Sequence, residues 1–271
     1  MESALRKLQQ HLTESRRIYN HSASLRRSIY LFGWVSLLGL ILLSAAAYLA
    51  ESVDLALELF FWTIPFIIAL VVFTFMNLPL LRDGEGRLPA SLQTANKLTA
   101  IRIFLVPVVF ILLVRGHDVA GITLYAVAVS TDVMDGIVAR RLGQKSLMGT
   151  MLDPVGDIVL TLALFLFLFL EGAVPLWLFA LLVIRYSQFF IGLAVLVLLD
   201  AMPRLKATAA GKVVGVIQAV GILLLLAGTL FSRHVQIESF RVYLYFVLGA
   251  SFSSVIASQT VIGYRALMRK R

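Results

Sequence analysis

The sequence predicts an all-α integral membrane protein, a six-helix core preceded by two extra transmembrane helices, eight spans in all. Three observations carry that prediction. Of 271 residues, 60% are hydrophobic and 14% charged, against roughly 45–50% apolar and about 25% charged in soluble domains. Several apolar runs reach the roughly 20 residues that span a bilayer. Lys and Arg fall almost entirely on alternate sides of those runs.

Residues 1–29 form a basic leader in which Leu5, Leu8 and Leu12 recur at helical spacing. That pattern fits either a surface-lying amphipathic helix or a short segment that sets topology. The first apolar run starts near Tyr30, and no small-residue cleavage pattern follows it, so it reads as an anchor rather than a removable signal. Spans are expected over residues 30–50, 56–81, 98–114, 119–140, 148–170, 174–199, 211–231 and 242–263. Pro65 is expected to kink the second, which a membrane helix tolerates. Residues 30–81 hold the two additional helices, and residues 82–95 form a linker around "RDGEGRLPASLQTAN". Its GEG is no dinucleotide fingerprint, because no strand or βαβ unit surrounds it.

Charge placement sets the orientation. Arg6, Lys7, Arg16, Arg17, Arg26 and Arg27 precede the first span, and Arg82, Arg87, Lys97 and Arg102 flank the third. Arg140, Arg141 and Lys145, then Arg204, Lys206 and Lys212, then Arg265, Arg269, Lys270 and Arg271 lie on the same side. The opposite side has only Arg115, Arg233 and Arg241, and Arg185 lies inside a span. Both termini are therefore expected in the cytoplasm. A net charge of +9 so distributed marks topology and membrane lipid, not nucleic acid. The chain has no cysteine, and His11, His21, His117 and His234 have no ligand spacing. Disulfides, thiolate catalysis and thiolate or imidazole metal sites are excluded as working hypotheses.

Against this background "STDVMDGIVARRLGQKSLMGTMLDPVGDIV" (residues 130–159) is anomalous. Asp132 and Asp135 are three apart, and Asp153 and Asp157 four apart, so each pair shares one helix face. The short "RLGQKS" allows the two helices to be antiparallel neighbours with converging carboxylates. An aspartate at the centre of a membrane helix costs about 2.5–3.5 kcal/mol, so four must face a polar cavity with partners. Oxygen donors alone suit a hard divalent ion, Mg²⁺ or Mn²⁺. Four carboxylates suit two ions better than one, and paired hard cations favour phosphoryl transfer. A structural salt-bridge cluster and a cation path remain open on spacing alone. Gly149, one turn before Asp153, fits either close ligand approach or helix packing.

The residue order narrows the choice. Asp132-x-x-Asp135-Gly136-x-x-Ala139-Arg140, followed by eight residues and Gly149-x-x-x-Asp153-x-x-x-Asp157, resembles the signature of the CDP-alcohol phosphatidyltransferases at all eight defining positions. "NKLTAIRIFLVP" resembles the family's first helix, which opens with Asn-x-x-Thr and an Arg three residues on. The resemblance covers about residues 92–265 and makes residues 96–271 the catalytic domain. It implies transfer of a phosphatidyl group from a CDP-lipid to an alcohol, with release of CMP. It also implies that Asp132, Asp135 and Asp153 ligate the metals, and that Asp157 completes that site and takes the hydroxyl proton. Gly136 would make room for cytidine, Arg140 would hold the diphosphate, and Asn96, Thr99 and Ser146 would contact the CDP moiety. A homodimer is the family's usual assembly, and a bacterial inner or plasma membrane the expected location. One departure is "DPVGDIV", where many bacterial members read DPxADK; Gly156 and Ile158 stand at the altered positions.

The acceptor site is expected among bases outside the signature: Arg185, Arg204, Lys206 and Lys212. A basic pocket points to a phosphorylated acceptor. "GKVVGVIQ" faintly resembles the GKxKTxxQ of members that use glycerophosphate, lacking its second Lys and its Thr. Glycerol 3-phosphate is the expected acceptor, with phosphatidylglycerol, an inositol phosphate or serine as competitors. A cation transporter would not require Gly136, Ala139 and Arg140 in signature order, and prenyl transfer would need a second Asp-rich motif of its own type.

Overall fold

The computed structural model describes residues 2–83, 85–141, 146–198, 209–231 and 238–268, some of them, including 132–141 and 209–212, as backbone alone. It is all-helical, with no strand among the described residues. The helices are α1 (Glu2–His21), α2 (Ala23–Ala50), α3 (Val53–Met76), α4 (Thr94–Val114), α5 (Asp118–Arg141), α6 (Leu147–Leu170), α7 (Leu176–Leu198), α8 (Ala209–Phe231) and α9 (Glu238–Met268). α2, α3, α4, α6 and the Phe240–Arg265 stretch of α9 are long and apolar enough to cross a membrane. Asp118–Thr131, Leu176–Gly192 and Val213–Thr229 are shorter apolar stretches of α5, α7 and α8.

Element ends follow from local chemistry. Ser52 caps α3, its hydroxyl accepting from Leu55 N at 3.2 Å. The second span, expected to run to residue 81, stops as an α-helix at Met76; Pro79 lies within a 3₁₀ turn, Leu78–Leu81. α3 continues through Pro65 as one helix. Gly116 (φ 80°) and Gly172 (φ 67°) follow α4 and α6 in the left-handed conformation that glycine adopts cheaply. There His117 N reaches back to Leu112 O, and Ala173 N to Leu168 O.

The chain forms two compact units, Met1–Leu160 and Thr161–Arg271. In the first, α1 is a docked helix rather than a loose leader. Ile18 is buried, Ser15 donates to Met76 O at 2.7 Å, and Arg82 pairs with Glu14 at 2.6 Å. The inward face of α1 is thus occupied by protein, which leaves a polar, basic outer face. The core runs from Ile18, Leu25 and Ile29 through Leu70, Leu78, Leu81 and Leu92 to Ala100, Ile103, Met148 and Leu152. The added helices therefore pack directly on α4 and α6. Ser28 of α2 also accepts from Leu92 N at 3.0 Å, two residues before α4 begins. At the other end of these helices Arg115 pairs with Glu58, and His117 with Glu51.

In the second unit α9 packs against α7 and α8. A Cβ at Gly221 would lie 2.8 Å from Leu248 Cδ2, and one at Gly249 2.9 Å from the Trp177 ring, so small residues set both approaches. Phe165 and Phe252 meet edge-on at 5.6 Å, and both are fully buried.

Candidate active site

The site is built from the facing sides of α4 and α6. Asn96, Thr99 and Arg102 are three residues apart along α4, a spacing that keeps them on one face. Ser146, Asp153 and Asp157 supply the opposing face from the start of α6.

Ser146 is the N-cap of α6: its hydroxyl accepts from Gly149 N at 3.1 Å and donates to Asn96 Oδ1 at 3.2 Å. Asn96 Nδ2 faces Gln93 Oε1 at 3.3 Å, which fixes the orientation of the amide. The Thr99 hydroxyl donates to Asp153 Oδ1 at 2.7 Å, with Ala95 O 3.2 Å away as a second acceptor. Arg102 Nη1 donates to Asp157 Oδ1 at 2.7 Å. Asn96, Thr99, Arg102 and Ser146 are buried, whereas the Asp157 side chain is 55% exposed. A buried guanidinium and hydroxyl on α4 therefore hold two carboxylates that emerge on α6.

Two glycines permit the approach. A Cβ at Gly149 would lie 2.7 Å from Asn96 Oδ1, and one at Gly156 3.2 Å from Ile103 Cγ1. Of the two readings of Gly149, helix packing is the one with a contact behind it. Gly156, where many bacterial members carry Ala, likewise touches α4. Ile158, at the position of their Lys, is 7% exposed, so a cation there would have to enter the core.

Arg102 corrects the charge reading. It stands in sequence among the bases that mark topology, but it is 0% exposed and pairs with Asp157. The signal was in the sequence: an arginine one turn beyond Thr99 matches the four-residue step from Asp153 to Asp157.

The other expected residues fall as follows. Asp132, Asp135, Gly136 and Arg140 lie on the last three turns or so of α5, which packs against α4; their side chains are outside the described residues. Arg204 and Lys206 are outside them altogether, and Lys212 is placed only as a backbone position on α8. Arg185, on α7 in the second unit, donates from Nη1 to Gln218 Oε1 at 2.7 Å. Among the described residues no three metal-ligating side chains converge. Asp153 and Asp157 nevertheless fit a hard cation in kind: both are oxygen donors on one helix face, each held by a hydrogen-bond donor from α4, as ligating carboxylates commonly are.

These features define a carboxylate-based candidate site held between two helices of an all-helical, apolar chain. A family model of the CDP-alcohol phosphatidyltransferases matches residues 92–255, more than half the chain, and the protein belongs to that family. It is an integral, multi-pass membrane protein. It is 31% identical over 170 residues to a probable phosphatidylglycerophosphate synthase of Mycobacterium tuberculosis, covering 58% of this chain and 78% of that one. It is 36% identical over 86 residues to the CDP-diacylglycerol–glycerol-3-phosphate 3-phosphatidyltransferase of Pseudomonas fluorescens (31% and 44% covered). It is also 34% identical over 109 residues to a probable CMP-forming cardiolipin synthase of Drosophila melanogaster (40% and 34% covered). The matches thus span under half the length of the last two relatives.

Proposed function

We propose that the protein transfers the phosphatidyl group of CDP-diacylglycerol to glycerol 3-phosphate and releases CMP. The observation that carries the reading is the pairing of Thr99 with Asp153 and of Arg102 with Asp157 inside the family-matched segment. The attacking hydroxyl oxygen forms a bond to the phosphorus that carries the diacylglycerol, and the phosphorus–oxygen bond to CMP breaks. Asp157 takes the hydroxyl proton, and its half-exposed carboxylate, anchored on one side by Arg102, is accessible to an incoming alcohol. Asp132, Asp135, Asp153 and Asp157 would hold two Mg²⁺ or Mn²⁺ ions, which neutralise charge on the diphosphate when bound. Arg140 steadies the diphosphate, Gly136 leaves room for cytidine, and Asn96, Thr99 and Ser146 shape the edge of the nucleotide site.

A phosphorylated acceptor is favoured by Arg185, a cation inside an apolar helix that makes no ion pair among the described residues. An intramembrane arginine is costly and ordinarily serves a functional cavity. Lys212, Arg204 and Lys206 would add to that site. The alternation of bases supports eight spans, with both termini and the site cytoplasmic, residues 96–271 as the catalytic domain, and residues 30–81 as an added helix pair. A homodimer is the assembly the family leads one to expect.

Purified protein given CDP-diacylglycerol, Mn²⁺ and a panel of acceptors should release CMP with glycerol 3-phosphate. Asp157→Asn should cut that rate on the order of a hundredfold to ten-thousandfold, the range for loss of a general base. CMP release with phosphatidylglycerol, inositol phosphate or serine alone would reassign the acceptor. Absence of release with every acceptor would reject the enzymatic reading.

A further inference from the structure

Arg185 is oriented by an ordered chain of neutral groups. Ser251 Oγ donates to Leu248 O at 2.7 Å, so its lone pair faces Gln218 Nε2 at 3.4 Å. That contact turns the other end of the amide, Oε1, toward Arg185 Nη1 at 2.7 Å. Gln218 and Ser251 are 6% and 7% exposed, so both are enclosed by the helices that carry them. The guanidinium is flanked by the rings of Tyr186, 5.0 Å from its carbon, and Phe252, 5.5 Å away.

A structural strut joining α7, α8 and α9 could use either an amide or a carboxylate at position 218, and a carboxylate would neutralise the buried cation. The amide does not. It takes one of the five guanidinium N–H groups and leaves the unit charge in place. Rings contribute attraction without neutralisation.

We propose that Gln218, held by Ser251, is a positioning and specificity-determining residue: it aims Arg185 while leaving its charge for an anionic acceptor. The inference rests on the acceptor reading given above. It assigns a role to the last residue of "GKVVGVIQ", whose resemblance to the glycerophosphate motif is otherwise incomplete.

The test is Gln218→Glu in the full-length protein in proteoliposomes, with initial CMP-release rates measured against each substrate in turn. Glu keeps the size and the acceptor oxygen but cancels the charge. KM for glycerol 3-phosphate should rise on the order of tenfold to a hundredfold, the scale of a lost charged interaction, while KM for CDP-diacylglycerol stays unchanged. Ser251→Ala, which frees the amide to rotate, should raise the acceptor KM severalfold and spare the donor KM, and it serves if Gln218→Glu fails to fold. An unchanged acceptor KM in Gln218→Glu, or equal rises in both KM values, would overturn the positioning role alone. A wild-type protein that turns over only uncharged alcohols would overturn both this role and the acceptor reading.

Discussion

Two arginines lie inside apolar helices, and their partners differ in one respect. Arg102 donates to a carboxylate, Asp157, at 2.7 Å; Arg185 donates to an amide oxygen, Gln218, at the same distance. The first pair is neutral, so the arginine's charge is consumed in holding the carboxylate proposed above as the base. The second partner is neutral and leaves the arginine's charge uncompensated, which is the basis of the acceptor role proposed for Arg185. The donor–acceptor distance is shared, and the charge of the acceptor oxygen is what separates the two pairs.

That contrast can be broken from either side, and the larger effect belongs to Arg102. Arg102→Leu leaves Asp157 without its anchor, and kcat for CMP release should fall on the order of a hundredfold, the cost of misplacing a reacting group by about 1 Å. In the double variant Arg102→Leu/Asp157→Asn, kcat should be no lower than in Asp157→Asn alone, because contacting residues do not act independently. Additive losses would mean that Arg102 acts elsewhere. Arg185→Leu should behave differently: acceptor KM rises on the order of tenfold to a hundredfold, while kcat at saturating acceptor changes little. A fall in kcat of the same size as that caused by Arg102→Leu would erase the distinction.

Much of this was legible in the sequence because the relevant physics is local. The apolar runs gave the helices, since a bilayer demands both length and continuity. Asp153 and Asp157 were legible as one face because a helical step of four is fixed geometry. Arg102 was legible only as part of the pattern that follows Asn96 and Thr99; its ion pair with Asp157 was not, because a base near a helix end reads as topology until its neighbour across the helix interface is known. Gln218 was legible as the end of "GKVVGVIQ", but its contact with Arg185 was not, for a related reason. A glutamine in an apolar helix carries no charge signal, and its meaning comes from Arg185, 33 residues away. The docking of α1 was also illegible: His11, Ser15 and Ile18 form a face only once the end of α3 lies against them.

A smaller effect separates helix approach from helix composition. Gly149→Ala places a methyl group 2.7 Å from Asn96 Oδ1, against a residue already held by Ser146 and Gln93. Overpacking of this kind costs about 1–3 kcal/mol, and the variant should melt earlier in detergent. Gly215→Ala meets nothing within 4 Å and should be neutral or stabilise by up to about 1 kcal/mol. Equal melting of the two variants would show that α4 and α6 can separate at no cost.

The smallest effect lies in the linker, outside both arginine sites. Asp83 Oδ1 accepts from the backbone N–H of Glu85 and of Arg87 at 2.9 Å, and Oδ2 from Arg87 Nε at 3.2 Å. The hydrogen bond from the Arg87 backbone is the largest influence, and with those from the Arg87 side chain and the Glu85 backbone it outweighs the opposing effect of desolvation and holds the carboxyl below its ordinary range. A depressed folded-state value means that the stabilisation is complete above the ordinary carboxylate pKa and is lost as pH falls through the folded one. Asp83→Asn keeps an acceptor for both backbone N–H groups but removes the charge and the oxygen that accepts from Arg87 Nε. Its melting temperature should therefore lie slightly below wild type at neutral pH, and the gap should close as the pH is lowered and shrink in high salt. A gap that persists unchanged at low pH would assign the effect to turn geometry rather than to charge.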